Sequence, residues 1–410
     1  MLPDFNATHA LLLQGPAGPF MRRFADELQD HGIAVTKVNF HAGDVLFFPG
    51  PNTVPFRGTR ADWPAFVRRL MDERGIDAIF LFGDCRALHR AAIEAAHERG
   101  ASVWVFEEGY LRPDWITLER DGVNGHSRLP RDPAFYRAQE LPEPEPPTPV
   151  GASFGLSAWY STLNALAFTH LNHGFPHYVH HRNLNAWYQT ASWVKGYFRK
   201  KLFEAKERGL IERFTGELAG RYFFVPLQVH CDFQLTHSKY SSVPQFVDEV
   251  IDAFIEHADS RDAIVFKHHP MDRPYCDYSE LFRERTRRHG LSGRLFYVHD
   301  LHLPTLLKHA RGTITINSTV GISSIHHRTP VKVMGTAVYD MPGLTFQGSL
   351  PEFLRDPGGP PDQDLYRAFR RYLLHANQAN GNFYKRVVGE RGIGVRWFTG
   401  EVEAKRVAAE

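Results

Sequence analysis

Apolar residues recur along the chain in two alternating rhythms. Short runs rich in aromatic and β-branched residues, at 9–14, 33–39, 78–82 and 102–106, alternate with stretches of helical spacing at 20–30 (Phe20, Phe24, Leu28) and 86–99. Gly15-Pro16 ends the first run and His31-Gly32 closes the first helix. Asp62-Trp63-Pro64 predicts a helix start, with Asp62 as its N-cap and proline in its first turn. The segment 40–60 holds Gly, Pro and aromatics without a period, which predicts a surface loop. A second alternation begins at Tyr222, with strands predicted at 222–227, 263–267, 294–298, 312–316 and 330–334. Helices are predicted between them at 244–257, 277–289, 303–310 and 319–327. Strand–helix alternation with short loops predicts parallel, doubly wound sheets. The fold class expected is therefore α/β, with two doubly wound Rossmann-like domains facing across a cleft.

The proline-rich, acidic run LPEPEPPTPV at 141–150 reads as an extended linker. The expected division is an N-terminal domain over 1–150, a helical connection over 151–215, a C-terminal domain over 216–350, and helices and a tail over 351–410. Helical stretches are predicted at 154–170 and 183–208, and one at 365–379 that could pack back across the first half. The tail from Glu401 is expected to fray. The helix at 183–208 carries Trp187, Tyr188, Trp193, Tyr197 and Phe198 beside Lys195, Arg199, Lys200 and Lys201. Such a helix either packs its aromatics between domains or lies on an anionic bilayer; aromatics at helical spacing are more often core.

Composition narrows the function. With 48 basic and 46 acidic residues the net charge is only +2, which argues against a general nucleic-acid binder. Three scattered cysteines form neither a disulfide framework nor a zinc ribbon, and fit a reduced, cytoplasmic setting. The first residues lack the basic start and long apolar run of a signal peptide, and no apolar run is long enough to span a membrane. Sequences for a P-loop, an H-E-x-x-H zinc site and a G-x-S-x-G elbow are missing. So is a D-x-D pair that would grip a nucleotide diphosphate through a metal. That favours a donor with a single phosphate, or an enzyme needing no metal.

Polar and titratable residues gather just past the predicted strands, where α/β sheets place ligands. Beyond 222–227 come Gln228, His230, Asp232, Gln234 and His237. Asp232 is the candidate nucleophile; in extended chain it shares a face with His230 and Gln234. The plainer alternative is an Asp capping a local turn. Lys267-His268-His269-Pro270 ends the next strand. Pro270 biases His269 toward extended geometry, suited to hold a phosphate or protonate a leaving oxygen, with Lys267 as counter-charge. A surface histidine pair is the alternative. Asn317, Ser318 and Thr319 stand before a helix start that could receive a phosphate. Glu107-Glu108-Gly109 follows the strand at 102–106, with Arg112 close behind; one carboxylate can face the cleft, or both can be a solvated pair.

Four stretches together carry a family resemblance: LFGDCRALHRAAI at 81–93, FEEGYLRPDWITLERDGVNGHSRLPRDPAFY at 106–136, VPLQVHCDFQLTHS at 225–238 and KHHP at 267–270. The chain resembles the capsule polysaccharide synthesis family, the KpsS/LipB and KpsC/LipA proteins of Gram-negative bacteria, over most of residues 9–340. Its length and wording look like the KpsS/LipB side. The resemblance implies a GT-B-like glycosyltransferase, a retaining β-Kdo transferase using CMP-β-Kdo as donor and no cofactor. Its acceptor is implied to be a (lyso)phosphatidylglycerol lipid that anchors the poly-Kdo linker of the capsule. Related CMP-sugar enzymes share a D/E-D/E-G motif, an HP motif and a Ser/Thr motif, which Glu107-Glu108-Gly109, His269-Pro270 and Ser318-Thr319 match in order. The related retaining enzymes use an Asp nucleophile, carried here onto Asp232. The resemblance implies a cytoplasmic place, peripheral on the inner face of the inner membrane, among other capsule assembly proteins. The rivals are an enzyme that extends an existing Kdo linker, a transferase for another CMP-activated acidic sugar, and a non-catalytic assembly or export partner.

Overall fold

A computed structural model describes residues 2–180 and 182–398; the expected fraying from Glu401 falls outside them. The described chain divides into two compact units. The first holds the residues up to 128, 140–189 and those from 370 onward; the second holds 129–139 and 190–369. In chain order the elements begin β1 (His9–Leu12), α1 (Phe20–Asp30), β2 (Ala34–Asn39), α2 (Ala42–Phe47), β3 (Thr53–Pro55), α3 (Trp63–Arg74) and β4 (Ala78–Phe82). Then come α4 (Ala87–Glu98), β5 (Ser102–Glu108), β6 (Trp115–Arg120), α5 (Pro133–Arg137), α6 (Phe154–Leu171), α7 (Ala186–Lys206) and α8 (Leu210–Thr215). The second alternation is β7 (Tyr222–Pro226), α9 (Val243–His257), β8 (Ala263–Lys267), α10 (Ser279–Arg288), β9 (Leu295–Val298), α11 (Leu303–His309) and β10 (Gly312–Thr315). The chain ends in α12 (Val320–His326), β11 (Val331–Val333), α13 (Leu350–Arg355), α14 (Gln363–Ala376) and β12 (Gln378–Asn380).

Among the described residues the first unit's sheet runs β12-β6-β5-β4-β1-β2-β3. It is parallel from β5 to β3, while β6 and β12 are antiparallel, so the predicted parallel sheet is a mixed one. Both faces of β4 are buried: Ala78 and Phe80 cluster with Phe24 and Leu28 of α1, whereas Ile79 and Leu81 cluster with Trp63, Val67, Ala92 and Ala95 of α3 and α4. That two-sided burial is why the strand reads as an unbroken apolar run. The second unit's sheet, β11-β10-β7-β8-β9, is parallel throughout. Phe223 and Val225 pack toward α9, while Tyr222 and Phe224 pack toward α8 and α11.

Several segments depart from expectation for local reasons. The predicted loop 40–60 contains α2 and β3; His41 caps α2, its Nδ1 accepting from Gly43 N at 3.0 Å, and Pro55 is tolerated because β3 is an edge strand. Asp62 stands before α3 without capping it, because its carboxylate accepts from Thr59 N (2.8 Å) and Oγ1 (2.7 Å). The helix expected to Ala379 stops at Ala376, and the chain continues as β12 with Ala379 opposite Ile116. The run 141–150 lies within the first unit, tied down where Thr148 N donates to Asn380 Oδ1 (2.9 Å) and Val150 N to Asp114 Oδ1 (2.8 Å). The division between units falls inside α7 and α14.

In each unit one strand marks a reversal of direction. The chain leaves β1 for β2 and β3 on one side, then crosses to β4 and β5 on the other; it leaves β7 for β8 and β9, then crosses to β10 and β11. Beyond the carboxyl ends of β1 and β7 the adjacent loops part, which opens the position where such sheets receive ligands.

Candidate functional site

Past β7 the chain turns where Asp232 N donates to Val229 O (2.9 Å). The turn parts His230 from Asp232, so the extended face expected to carry His230, Asp232 and Gln234 together does not form. Asp232 instead caps a 3₁₀ turn over Phe233–His237, with Oδ1 accepting from Gln234 N at 2.9 Å. Its Oδ2 faces Gln228 Nε2 at 3.4 Å. The same Gln228 nitrogen donates to Asn317 Oδ1 (2.8 Å), across from β7 to β10, and Asn317 Nδ2 donates to Gln234 O (2.8 Å). Residues from two strand ends therefore form one connected set at the reversal point. Gln228 Oε1 and Gln234 Oε1 are buried with no hydrogen-bond partner among the described residues. A buried unpaired carbonyl costs about 1–3 kcal/mol, which a ligand N–H or O–H would recover.

The end of β8 supplies two imidazoles with opposite presentations. Asp272, in the 3₁₀ turn Pro270–Asp272, is fully buried and was not singled out in the sequence. It accepts from His230 N (2.8 Å) and lies 2.5 Å from His230 Nδ1. Nδ1 therefore carries the proton, and the His230 Nε2 lone pair is presented as an acceptor. His269 is the reverse: its Nδ1 accepts from Met271 N (3.2 Å), so Nε2 carries a proton to donate. His269 O in turn accepts from Asp272 N (2.9 Å), tying the two groups together. Pro270 opens that turn and is exposed. Lys267 is buried, its ammonium donating to His299 O at 2.5 Å. Burial pulls its pKa below the usual lysine range, with Asp300 and Glu207 opposing. His268 is also buried and bonded to the Tyr297 hydroxyl (2.7 Å); burial holds it down to about 3, so it is neutral.

Ser318 and Thr319 follow Asn317 as expected. Thr319 is the N-cap residue of α12, without a side-chain cap bond; Ser318 Oγ accepts from Val320 N at 3.2 Å. The buried Tyr339 hydroxyl donates to Ser318 O (2.5 Å), clamping the turn from the far side. Helix α12 has seven residues, so its terminal charge is modest. His230, Asp272 and Cys276 bring potential metal-ligand atoms within 4.8 Å of one another. The Asp272–His230 hydrogen bond already uses the facing atoms, and burial pushes the Cys276 thiol up to about 11, which keeps it a poor ligand.

In the first unit Glu107 and Glu108 lie inside β5, opposite Thr117 and Ile116 of β6, and not in a loop. Burial raises the Glu108 pKa, opposed by Arg112. Glu107 Oε1 accepts from Glu108 N (2.9 Å). Arg112 is exposed, with Nε donating to Gly109 O (3.3 Å). The reversal at β1 holds a second polar set that sequence reasoning missed. Arg86 Nη1 donates to Gln14 Oε1 (2.9 Å), and Gln14 Nε2 donates to the Tyr178 hydroxyl (2.9 Å) and faces His41 Nε2 at 3.0 Å. Burial pulls the Arg86 guanidinium below its ordinary value, opposed by Tyr178 and Glu107. Gln14 closes the predicted strand 9–14 and Arg86 follows the one at 78–82, a signal that was available; Tyr178 comes from a distant loop that carries none.

Comparison with known proteins places this chain. The family described as capsule polysaccharide biosynthesis protein matches residues 77–384. The chain is 40% identical to the capsule polysaccharide export protein KpsS of Escherichia coli, over 91% of this chain and 96% of that protein. It is 41% identical to the capsule polysaccharide modification protein LipB of Neisseria meningitidis serogroup B, over 93% of each. Among solved structures, KpsC of Thermosulfurimonas dismutans, described as a β-Kdo 2,7 transferase, aligns over 98% of this chain and 99% of that one, with 15% identity and a TM-score of 0.44. The extent of the family match and the two relatives of similar length lead to one assignment: the chain belongs to the capsule polysaccharide biosynthesis family.

Proposed function

We propose that the protein is a retaining glycosyltransferase that moves Kdo from CMP-β-Kdo to a (lyso)phosphatidylglycerol-type acceptor at the start of a capsule linker. The observation that carries this reading is the connected set at the β7/β10 reversal, with a carboxylate, Asp232, held beside two unpaired acceptors on Gln228 and Gln234. Kdo is rich in hydroxyls and cytosine carries an amine; either supplies the donors those carbonyls lack.

In the first step an Asp232 oxygen attacks the anomeric carbon, the bond from that carbon to the phosphate oxygen breaks, and CMP leaves with the electron pair. The His269 Nε2–H and the hydroxyls of Ser318 and Thr319 receive the leaving phosphate. In the second step an acceptor hydroxyl attacks the same carbon, gives its proton to a general base, and displaces Asp232. Two inversions give retention. The reading calls for no metal. No helix among the described residues is long and apolar enough to cross a membrane. On this reading the protein meets its lipid acceptor at the membrane surface.

The test supplies CMP-Kdo with a short-chain lysophosphatidylglycerol, then with a lipid already bearing one Kdo, and weighs the products. Addition to the first identifies an initiating enzyme; addition to the second alone identifies an extender. Asp232→Ala lowers CMP release by roughly a thousandfold or more. Near-normal release by that variant removes the nucleophile, and no product with either acceptor leaves an assembly or export role, the one named for the KpsS relative.

A further inference from the structure

Helix α7 is built inside out. Its seam against the rest of the second unit is made of buried Ser192 and Gly196, half-buried Arg199, and Phe203, whose buried ring stacks on His299. A Cβ at Gly196 would stand 2.9 Å from Pro274 Cγ, so glycine permits the close approach. Arg199 pins the seam, with Nη1 donating to Arg273 O (2.9 Å) and Cys276 O (3.2 Å) and Nη2 meeting Asp277 at 3.2 Å. Apart from Phe203, the large apolar residues of the helix stay exposed. Trp187 is 72% exposed, Phe198 67%, Val194 53% and Leu202 48%. With Ala191 and Ala205 they form the series 187, 191, 194, 198, 202, 205, whose steps of three and four place them on one line along the helix. That stripe is about 27 Å long at 1.5 Å per residue. Exposed lysines border it, Lys195 and Lys206 on one side and Lys201 on the other. Glu204 is the acidic residue of the helix and is already paired with Lys201 and Lys200. Every exposed Trp and Phe among the described residues lies on α6 or α7.

We propose that α7 is an interfacial helix whose outer stripe lies in the headgroup layer of an anionic lipid bilayer. A single unbroken apolar line with aromatic rings and lysine borders suits a surface that is apolar below and negatively charged above. Lysine stems extend past the apolar edge to reach the headgroups. The one polar group of the stripe is the Trp187 indole N–H, which suits the headgroup layer, and the rest asks for no matched partner. The inference draws on the proposed transfer reaction only for where the acceptor resides. It stands or falls without donor or acceptor present.

The test sediments the full-length protein with vesicles of phosphatidylcholine alone and of phosphatidylcholine mixed with phosphatidylglycerol. Wild-type protein partitions to the mixed vesicles, and salt weakens the binding. Trp187→Ser with Phe198→Ser lowers partitioning by at least about tenfold. Lys195→Gln with Lys201→Gln lowers it by roughly tenfold or more on mixed vesicles and leaves the phosphatidylcholine control unchanged. Both pairs are exposed, so the variants keep the wild-type melting temperature, and they keep wild-type turnover on a water-soluble acceptor. Transfer to a vesicle-embedded acceptor falls in step with binding. Three results overturn the proposal: wild-type protein that ignores anionic vesicles, variants that bind as wild type does, or a stripe that instead joins two copies, seen as a dimer by ultracentrifugation that the Trp187→Ser/Phe198→Ser pair dissolves. If vesicle binding holds while no Kdo is transferred, the transfer reading fails and the membrane face remains.

Discussion

Asp272 shows how much a single buried residue can decide for its neighbour. Its carboxylate accepts from both the backbone N–H and Nδ1 of His230, so it dictates which His230 nitrogen keeps a lone pair. Replacing it with Asn offers Nδ1 an N–H where it needs an acceptor, and the imidazole must take the other tautomer. Asp272→Asn is therefore expected to lower kcat/KM by about tenfold to a hundredfold, the cost of one mismatched hydrogen bond to a substrate hydroxyl. His230→Gln does the same, and the double variant is no worse than the poorer single one. If the two losses multiply, or Asp272→Asn is silent, Asp272 does not act through His230. The sequence singled out His230 and His269 because both follow strands. It was silent on Asp272, whose importance comes from complete burial and a partner 42 positions away. For Asp232 it left two readings open, nucleophile or turn cap. The cap is present, and a carboxylate anchored through Oδ1 still presents Oδ2.

At the scale of elements, periodicity located every parallel strand except the edge strand β3 within a residue or two, because buried faces leave long apolar runs. It failed on β6 and β12, which pair at the antiparallel edge and carry mixed sequences such as WITLER and QAN. Their identity is set by partners far along the chain, Gln378 opposite Thr117 for one. It failed likewise on α2, six residues held by a histidine cap. The turn from β10 into α12 was legible from Asn317-Ser318-Thr319, but its clamp was not. A Cβ on Gly321 would stand 2.2 Å from the Tyr339 hydroxyl, and Tyr339 is buried with nowhere to swing. Gly321→Ala is thus expected to destabilise the second unit by about 1–3 kcal/mol, seen as a lower urea midpoint. It also slows transfer, because the Ser318 carbonyl loses the hydroxyl that holds it. Tyr339→Phe removes only the hydroxyl, so it should lower the activity more than it lowers the midpoint. An unchanged midpoint in Gly321→Ala would mean that the helix shifts freely and the clamp is not rigid.

For the whole molecule, sequence gave two α/β halves but not how the chain is shared between them. Composition changes at 141–150 look like a boundary, yet backbone hydrogen bonds to Asn380 and Asp114 bind that run into the first unit. The 23 histidines are a whole-chain feature whose meaning emerges only from burial. His89 in the first unit and His268 in the second are 1% and 2% exposed, and burial holds each down to about 3. His89 Nδ1 donates to Gly83 O (2.7 Å), and His268 Nδ1 is bonded to the Tyr297 hydroxyl, so the neutral ring is the native form in both. In the unfolded chain each titrates near 6.5. Because the folded values are depressed, the unfolded state binds more protons once pH drops below about 6.5, and stability is full above that point and lost as pH falls toward 3. Each histidine removes up to about 1.4 kcal/mol per pH unit, or about 2 kcal/mol by pH 5. Acid loss of structure should therefore begin above the carboxylate range and appear in both units. Urea unfolding at about pH 7 and about pH 5 measures it. Asn keeps a group at the Nδ1 position without a titrating ring, so His89→Asn should flatten the decline of the first unit's transition and His268→Asn that of the second. A pH slope that neither variant changes would place the acid sensitivity in other groups.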